Sequence, residues 1–140
     1  MTVSIQRLTG NDAYDLIFPD YLAKLSITDQ ITMHQAMVHS SRVWLGYAEG
    51  QVQCLWGIVS PTLLSDRAYL WLYTTEHLHN HVFLLVRHSQ RVVQDILKDF
   101  PTIAGHCEVH ATKSIRWLRW LGATFGEPQG RLVPFIIRAK

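Results

Sequence analysis

The stretch that decides the fold runs from Ala68 to Phe100, AYLWLYTTEHLHNHVFLLVRHSQRVVQDILKDF. Its first part, Ala68 to Thr75, is an apolar and aromatic run closed by threonines, the composition of a strand buried on both faces. Its last part changes period. Val82, Leu85, Val86, Ser89, Val93, Ile96 and Phe100 recur at helical spacing, while Arg87, His88, Arg91, Gln94, Asp95 and Lys98 fall on the other side. A strand therefore feeds an amphipathic helix through the turn HLHNH, His77 to His81. Amides at the start of such a helix lack partners within it, and the dipole adds positive charge, so the junction suits an anion such as a phosphate.

Upstream, TVSIQRL alternates as a strand, with Val3, Ile5 and Arg7 on one face. Thr9 or Asn11 then caps a short helix that must end near Phe18, because Pro19 disfavours the α conformation before it. A second helix starts at Ser26 or Thr28, with Ile27, Ile31, His34, Met37 and Val38 along one side, and ends near Ser40. RVWLGYAEGQVQCLWGIVS reads as two strands joined by a tight turn at Glu49-Gly50. Downstream, Pro101 stops the central helix, and TIAGHCEVH reads as a strand with His106, Glu108 and His110 on one face. Thr112 can cap a last helix that ends at Gly122 and points Ile115, Leu118 and Leu121 one way. Short strands at 123–125 and 131–138 follow, and Pro134 requires an edge position or a bulge in the second. The order is β-α-α-β-β-β-α-β-α-β-β, with no repeat or linker to divide residues 1–140 into more than one domain.

At 140 residues, 48 % hydrophobic and 17 % charged, the chain is globular and fills one core. Such a domain buries roughly 70 % of its unfolded surface. A formal charge of +2 is too small to argue by itself for nucleic acid as the partner, although Arg116, Arg119, Arg131, Arg138 and Lys140 make the last third locally basic. Cys54 and Cys107 lie inside apolar or alternating runs without C-x-x-C spacing, as two reduced thiols of a cytosolic protein would. No apolar run approaches the roughly 18 residues of a membrane span, and no basic start precedes an apolar stretch, so a cytoplasmic location is expected.

This element order, with the segment SIRWLRWLGATF, resembles the GCN5-related N-acetyltransferase (GNAT) superfamily, and the resemblance covers nearly the whole chain. WLYTTEHL followed by IRWLRWLGATF and a C-terminal hairpin is similar, more narrowly, to small acetyltransferase-like and internal virion proteins of tailed bacteriophages. The resemblance implies an α+β fold with a seven-stranded, mostly antiparallel sheet. It also implies acetyl-coenzyme A as cofactor, without a metal, and an amine-bearing acceptor that a host protein could carry. Its cytoplasm would be the host's, or the protein would travel in the virion. The cofactor's arm would lie between strands 68–75 and 102–109, against Tyr73, Thr74 and Thr75, with its phosphates near Asn80, His81, Arg87 and Arg91. Three positions depart from the family pattern. No glycine occurs from Leu78 to Phe83, where the family places Gly-x-Gly or Gly-x-Ala, and Ala111 and Leu118 replace its usual asparagine and general-acid tyrosine. These departures point to a second expectation, a non-catalytic acetyltransferase fold kept for virion or host binding.

Transfer of an acetyl group to an amine needs a base for the ammonium proton. Glu108, with His106 and His110 on the same strand face, is the first candidate, and Glu76 at the end of the preceding strand is another. The competing reading is an ordinary wet strand face. His77, His79 and His81 would point the same way in an extended chain, as a zinc or copper site needs, but they fall where strand becomes helix and that geometry is lost. Arg116, Trp117 and Trp120 crowd a short helix with more aromatic and cationic surface than one core face absorbs. They are candidates for a partner surface, or the tryptophans pack beneath the C-terminal hairpin.

Overall fold

The computed structural model describes residues 3–48, 50–60, 66–75 and 82–139, with the backbone alone at Val3 and at 82–86. Its elements are β1 (Val3–Leu8), α1 (Gly10–Ile17), α2 (Ile27–His39), β2 (Arg42–Ala48), β3 (Gln51–Val59), β4 (Arg67–Thr74), α3 (Val82–Asp99), β5 (Thr102–Glu108), α4 (Thr112–Trp120), β6 (Thr124–Phe125) and β7 (Leu132–Arg138). That is the order read from the sequence, with a 3-10 turn at Leu22–Lys24 added. The strands form one seven-stranded sheet in the order β1-β2-β3-β4-β5-β7-β6. All its pairings are antiparallel except that of β4 with β5.

Local chemistry sets the boundaries. Thr9 and Ser26 cap α1 and α2, their hydroxyls accepting from the amides of Asp12 and Asp29 at 3.2 and 3.1 Å. Gly50, at φ 78, supplies the left-handed residue of the two-residue loop between β2 and β3. The nitrogen of Pro134 costs the sheet nothing. In antiparallel pairing a residue's N and O point to the same side, and the Pro134 carbonyl accepts from Gly126 just beyond the two-residue β6. On that side the ladder has already ended.

Two apolar clusters lie on opposite faces of the sheet. One joins Trp44, Trp56, Ile58, Leu70, Ile103 and Ile137 to Val93, Ile96 and Leu97 of α3 and Trp117 and Leu118 of α4. Trp44 stacks on Trp56 at 6.1 Å, and Trp117 meets Trp56 edge-on at 5.8 Å. The other joins Val43, Leu45, Val52 and Leu55 to Ala13 and Ile17 of α1 and Met37 of α2. β3 serves both and is buried from Val52 to Ile58. Its register against β2 slips between Gly46 and Tyr47, leaving Gln53 as an extra residue. Gln53 is 2 % exposed, and among the described residues its Oε1 has no hydrogen-bond partner.

Three expectations change here. β4 is not buried on both faces: Ala68 and Leu70 are covered, but Tyr69 is exposed and Trp71 and Tyr73 only half-buried, because the α1/α2 cluster is centred on β2 and β3. On α2 the buried side runs through Met33 and Met37, while Ile27, Ile31 and Val38 face outward, Ile27 being 75 % exposed, and His34, though exposed, meets the Tyr14 ring of α1 edge-on at 4.7 Å. Docking against α1 selects that side. A Cβ on Gly10 would lie 1.7 Å from the Met37 carbonyl oxygen, so only glycine lets the two helices meet there. Thr112 is the first residue of α4 and not its cap. Ala111 occupies the cap position, without a side-chain hydrogen bond.

Candidate functional site: a cleft between parted strands

β4 and β5 pair over four residues, from Arg67 opposite Thr102 to Leu70 opposite Gly105, and there the pairing stops. Both strands continue. β4 runs to Thr74, held by β3, and β5 runs to Glu108, held by β7. Neighbours in the middle of the sheet thus separate toward their C-terminal ends. The backbone edges of 71–74 and 106–108 that would face each other make no ladder, and such edges carry donors and acceptors that a bound chain can use.

Gly105 sits at the fork. A Cβ there would lie 2.4 Å from the Leu70 carbonyl oxygen and 2.6 Å from the Phe135 ring, so glycine allows the last close pairing before the strands part. Past it opens a cleft of about 490 Å³, lined among others by Leu72, Tyr73, Thr74, His106, Cys107 and Glu108. Alternation along the strands sorts this lining. Leu72 and Cys107 belong to the α3/α4 side, where they pack against that core. Tyr73 belongs to the α1/α2 side, where it packs against the other core. His106 and Glu108, both exposed, alternate with Cys107 onto this side. One mouth of the cleft therefore carries Leu72, Cys107 and, by the same alternation, Thr74, and the other carries an imidazole, a carboxylate and a phenol.

The sequence candidates divide accordingly. Glu108, Tyr73 and Thr74 line the cleft. Thr75 does not: it is buried, and its hydroxyl donates to the Val52 carbonyl at 2.6 Å. His110 leaves the shared strand face, because β5 ends at Glu108 and a turn closed by Ala111 N–H to the Glu108 carbonyl follows. Glu76, Asn80 and His81, with His77 and His79 and the anion-binding turn, lie outside the described residues. Among the described residues no group of three metal-ligating side chains forms.

Arg87 and Arg91 are exposed on α3, away from the cleft lining. The proposed partner surface splits: Arg116 is exposed and Trp120 is 51 % exposed, but Trp117 is 2 % exposed, its indole donating to Ser89 Oγ at 2.9 Å. Trp117 therefore packs under the sheet, beside Trp56.

Sequence reasoning passed over Cys107, Ser114 and Leu25, which also line the cleft. Cys107 was legible as a neighbour of Glu108 on the same strand, whereas Leu25 and Ser114 arrive by tertiary packing and carry no local signal. Both cysteines are free. Burial, and then the charge of Glu108, push the Cys107 thiol up, which keeps it protonated.

The backbone is similar over 99 % of its length to several solved acetyltransferases. The GNAT-family acetyltransferase of Streptococcus pneumoniae matches with a TM-score of 0.69 at 9 % identity, over 100 % of that chain. The IAA acetyltransferase of Bacillus cereus ATCC 14579 matches with 0.68 at 10 %, over 100 % of that chain. The N-acetyltransferase PseH of Campylobacter jejuni, solved in complex with acetyl coenzyme A, matches with 0.64 at 14 %, over 100 % of that chain. No family model matches the chain, and no curated protein matches it. At these identities the likeness establishes the fold, which is the GNAT fold expected from the element order.

Proposed function

We propose that residues 1–140 form one N-acetyltransferase domain that moves an acetyl group from acetyl-coenzyme A to an amine, with the cleft between β4 and β5 as its active site. The parted strands carry this reading. Two unpaired strand edges on either side of a space of about 490 Å³ suit a narrow, amide-bearing chain such as the cofactor's arm, which can hydrogen-bond like an added strand. Leu72, Tyr73, Thr74 and Cys107 would hold it there. When bound, acetyl-coenzyme A would supply the acetyl group as an activated thioester.

The acceptor enters from the α1/α2 side, where Glu108 attracts a cationic amine and takes its proton, as its place at that mouth supports. His106, one alternation away, is within the same mouth to pass that proton to water. Tyr73 and Leu25 keep the mouth partly apolar and limit water at the reacting carbon. The narrower likeness to phage proteins extends the reading to an acceptor amine on a host protein.

Calorimetric titration with acetyl-coenzyme A tests this, followed by release of free thiol in the presence of a panel of amines. Micromolar binding is expected. Glu108→Gln should keep that binding and slow turnover by about 10²–10⁴-fold. No heat at millimolar cofactor would overturn the enzyme reading and leave the chain as a binding protein on an acetyltransferase fold.

A further inference from the structure

The cluster formed by α1 and α2 is centred on β2 and β3 and reaches β4 through Trp71 and Tyr73. The same face of the sheet continues over β5 and β7. Ile103, Phe135 and Ile137 point into the α3/α4 core, so by alternation Ala104, His106 and Glu108 of β5 and Leu132, Pro134 and Ile136 of β7 point the other way. None of these six is part of either apolar cluster. Leu132 is 44 % exposed, and Tyr69 beside them on β4 is 43 % exposed. Register sets them in rows across the strands: Tyr69 opposite Ala104 and Ala104 opposite Ile136, His106 opposite Pro134, and Glu108 opposite Leu132. His106, Glu108 and Leu132 also line the cleft. A largely apolar strip thus runs along β5 and ends at the mouth assigned to the acceptor.

Charge stands at both ends of this strip. Glu108 is at the cleft. Six positions back along β5, about 20 Å at roughly 3.3 Å per residue, Thr102 has Arg67 opposite it on β4 and Arg138 opposite it on β7, and both arginines alternate onto the same face. Glu108 and Arg138 are exposed, and among the described residues neither side chain has an ion-pair or hydrogen-bond partner. A ligand that matches the strip is cationic at one end, anionic about 20 Å away and apolar between. A small amine would fill the cleft end alone, whereas an extended peptide of about seven residues spans the whole. β5 stops at Glu108 and the chain turns away, so a peptide laid along the strip reaches the cleft with its end.

We infer that the acceptor is the N-terminal amine of an extended peptide, which lies over β5 antiparallel to it, with its amine at Glu108 and an acidic side chain about seven residues in at Arg138. The inference rests on the cleft reading above and adds the class of acceptor to it. In the transfer, Glu108 takes one proton of the ammonium group, the nitrogen bonds to the acetyl carbon as the carbon–sulfur bond breaks, and the second proton leaves with the sulfur as free thiol.

The test measures thiol release from acetyl-coenzyme A by the full chain with a panel of acceptors. The panel holds a heptapeptide with a free N-terminus, apolar residues at alternate positions and aspartate at the seventh, the same peptide ending in lysine, its N-terminal dipeptide, benzylamine, and an N-terminally blocked copy with lysine at the second position. The aspartate peptide should exceed the dipeptide, benzylamine and the blocked copy at least tenfold in kcat/KM. It should exceed the peptide ending in lysine about fivefold at low salt, and less as salt rises. Arg138→Glu should reverse that last order and leave the dipeptide unchanged. If the dipeptide, benzylamine or the blocked copy reacts as well as the aspartate peptide, or if Arg138→Glu keeps the parent's order, the inference falls while the cleft reading stands. If the cofactor binds and no amine releases thiol, the inference falls and only the cofactor half of the cleft reading survives. If acetyl-coenzyme A does not bind, the cleft reading fails and carries this one with it.

Discussion

Replacing Gly105 with alanine tests the account of the fork directly. The added methyl would meet the Leu70 carbonyl oxygen at 2.4 Å and two atoms of the Phe135 ring at 2.6 and 2.9 Å. An ordinary carbon contact needs about 1 Å more. The ring belongs to a side chain and can rotate a little, but the carbonyl is backbone in the four-pair ladder of β4 and β5. That ladder must therefore open at its last pair. Overpacking of this kind costs about 1–3 kcal/mol. Against it, alanine lowers the entropy of the unfolded chain, a gain of about 0.4–1 kcal/mol. The net expectation is a loss of about 1–2 kcal/mol, read as a lower midpoint in urea with an unchanged slope. Gly126→Ala is the control, since its Cβ would meet only the Pro134 ring, at 3.2 Å. It should cost less than half as much. Equal midpoints for the Gly105 variant and the parent would refute the close approach.

Ser89→Ala should destabilise by about 1–3 kcal/mol in the same assay, because the buried Trp117 indole would lose the hydroxyl it donates to. Gln53→Met should instead stabilise by about 1 kcal/mol, since it removes a buried oxygen that has no partner among the described residues and keeps nearly the same volume. Stability should also fall in alkali. Burial pushes the Cys54 thiol up, so the folded state keeps a proton that the unfolded state gives up above about pH 8.5. The unfolded state then binds fewer protons, and the free energy of unfolding drops by up to about 1.4 kcal/mol per pH unit. Cys54→Ala, measured in urea from pH 8 to 10.5, should flatten that slope whatever its own cost at neutrality.

Helix α3 shows what the chain states locally. Its covered side, Ser89, Val93 and Ile96, is the side its period gives, because one apolar stripe faced one polar stripe. Helix α2 offers two stripes of similar character, and the contact of Gly10 with the Met37 carbonyl, between residues far apart in sequence, decides between them. The same holds at the site. Period 2 along β5 brought Glu108 to the cleft, but the end of that strand depends on its pairing with β7, which stops at Glu108 opposite Leu132 and leaves His110 in a turn. Trp117 and Trp120 are three residues apart, and the crossing of α4 over the sheet buries the first and exposes the second. Composition cannot rank them. The cleft itself arises from where a parallel ladder stops, a property of register between two strands and of neither alone.

That ladder's two walls are held unequally. β4 hangs on β3, the strand buried on both faces, and the amides there should be the last to exchange with solvent when the protein opens piece by piece. β5 hangs on β7, whose far side is held by the two-residue β6 and single contacts from Gly126 and Gln129. The wall bearing His106 and Glu108 should thus be the more readily deuterated of the two. Anything that fills the cleft and bridges its edges should slow exchange in β5 and β7 far more than in β4, leaving an asymmetric imprint that records occupancy without reference to turnover.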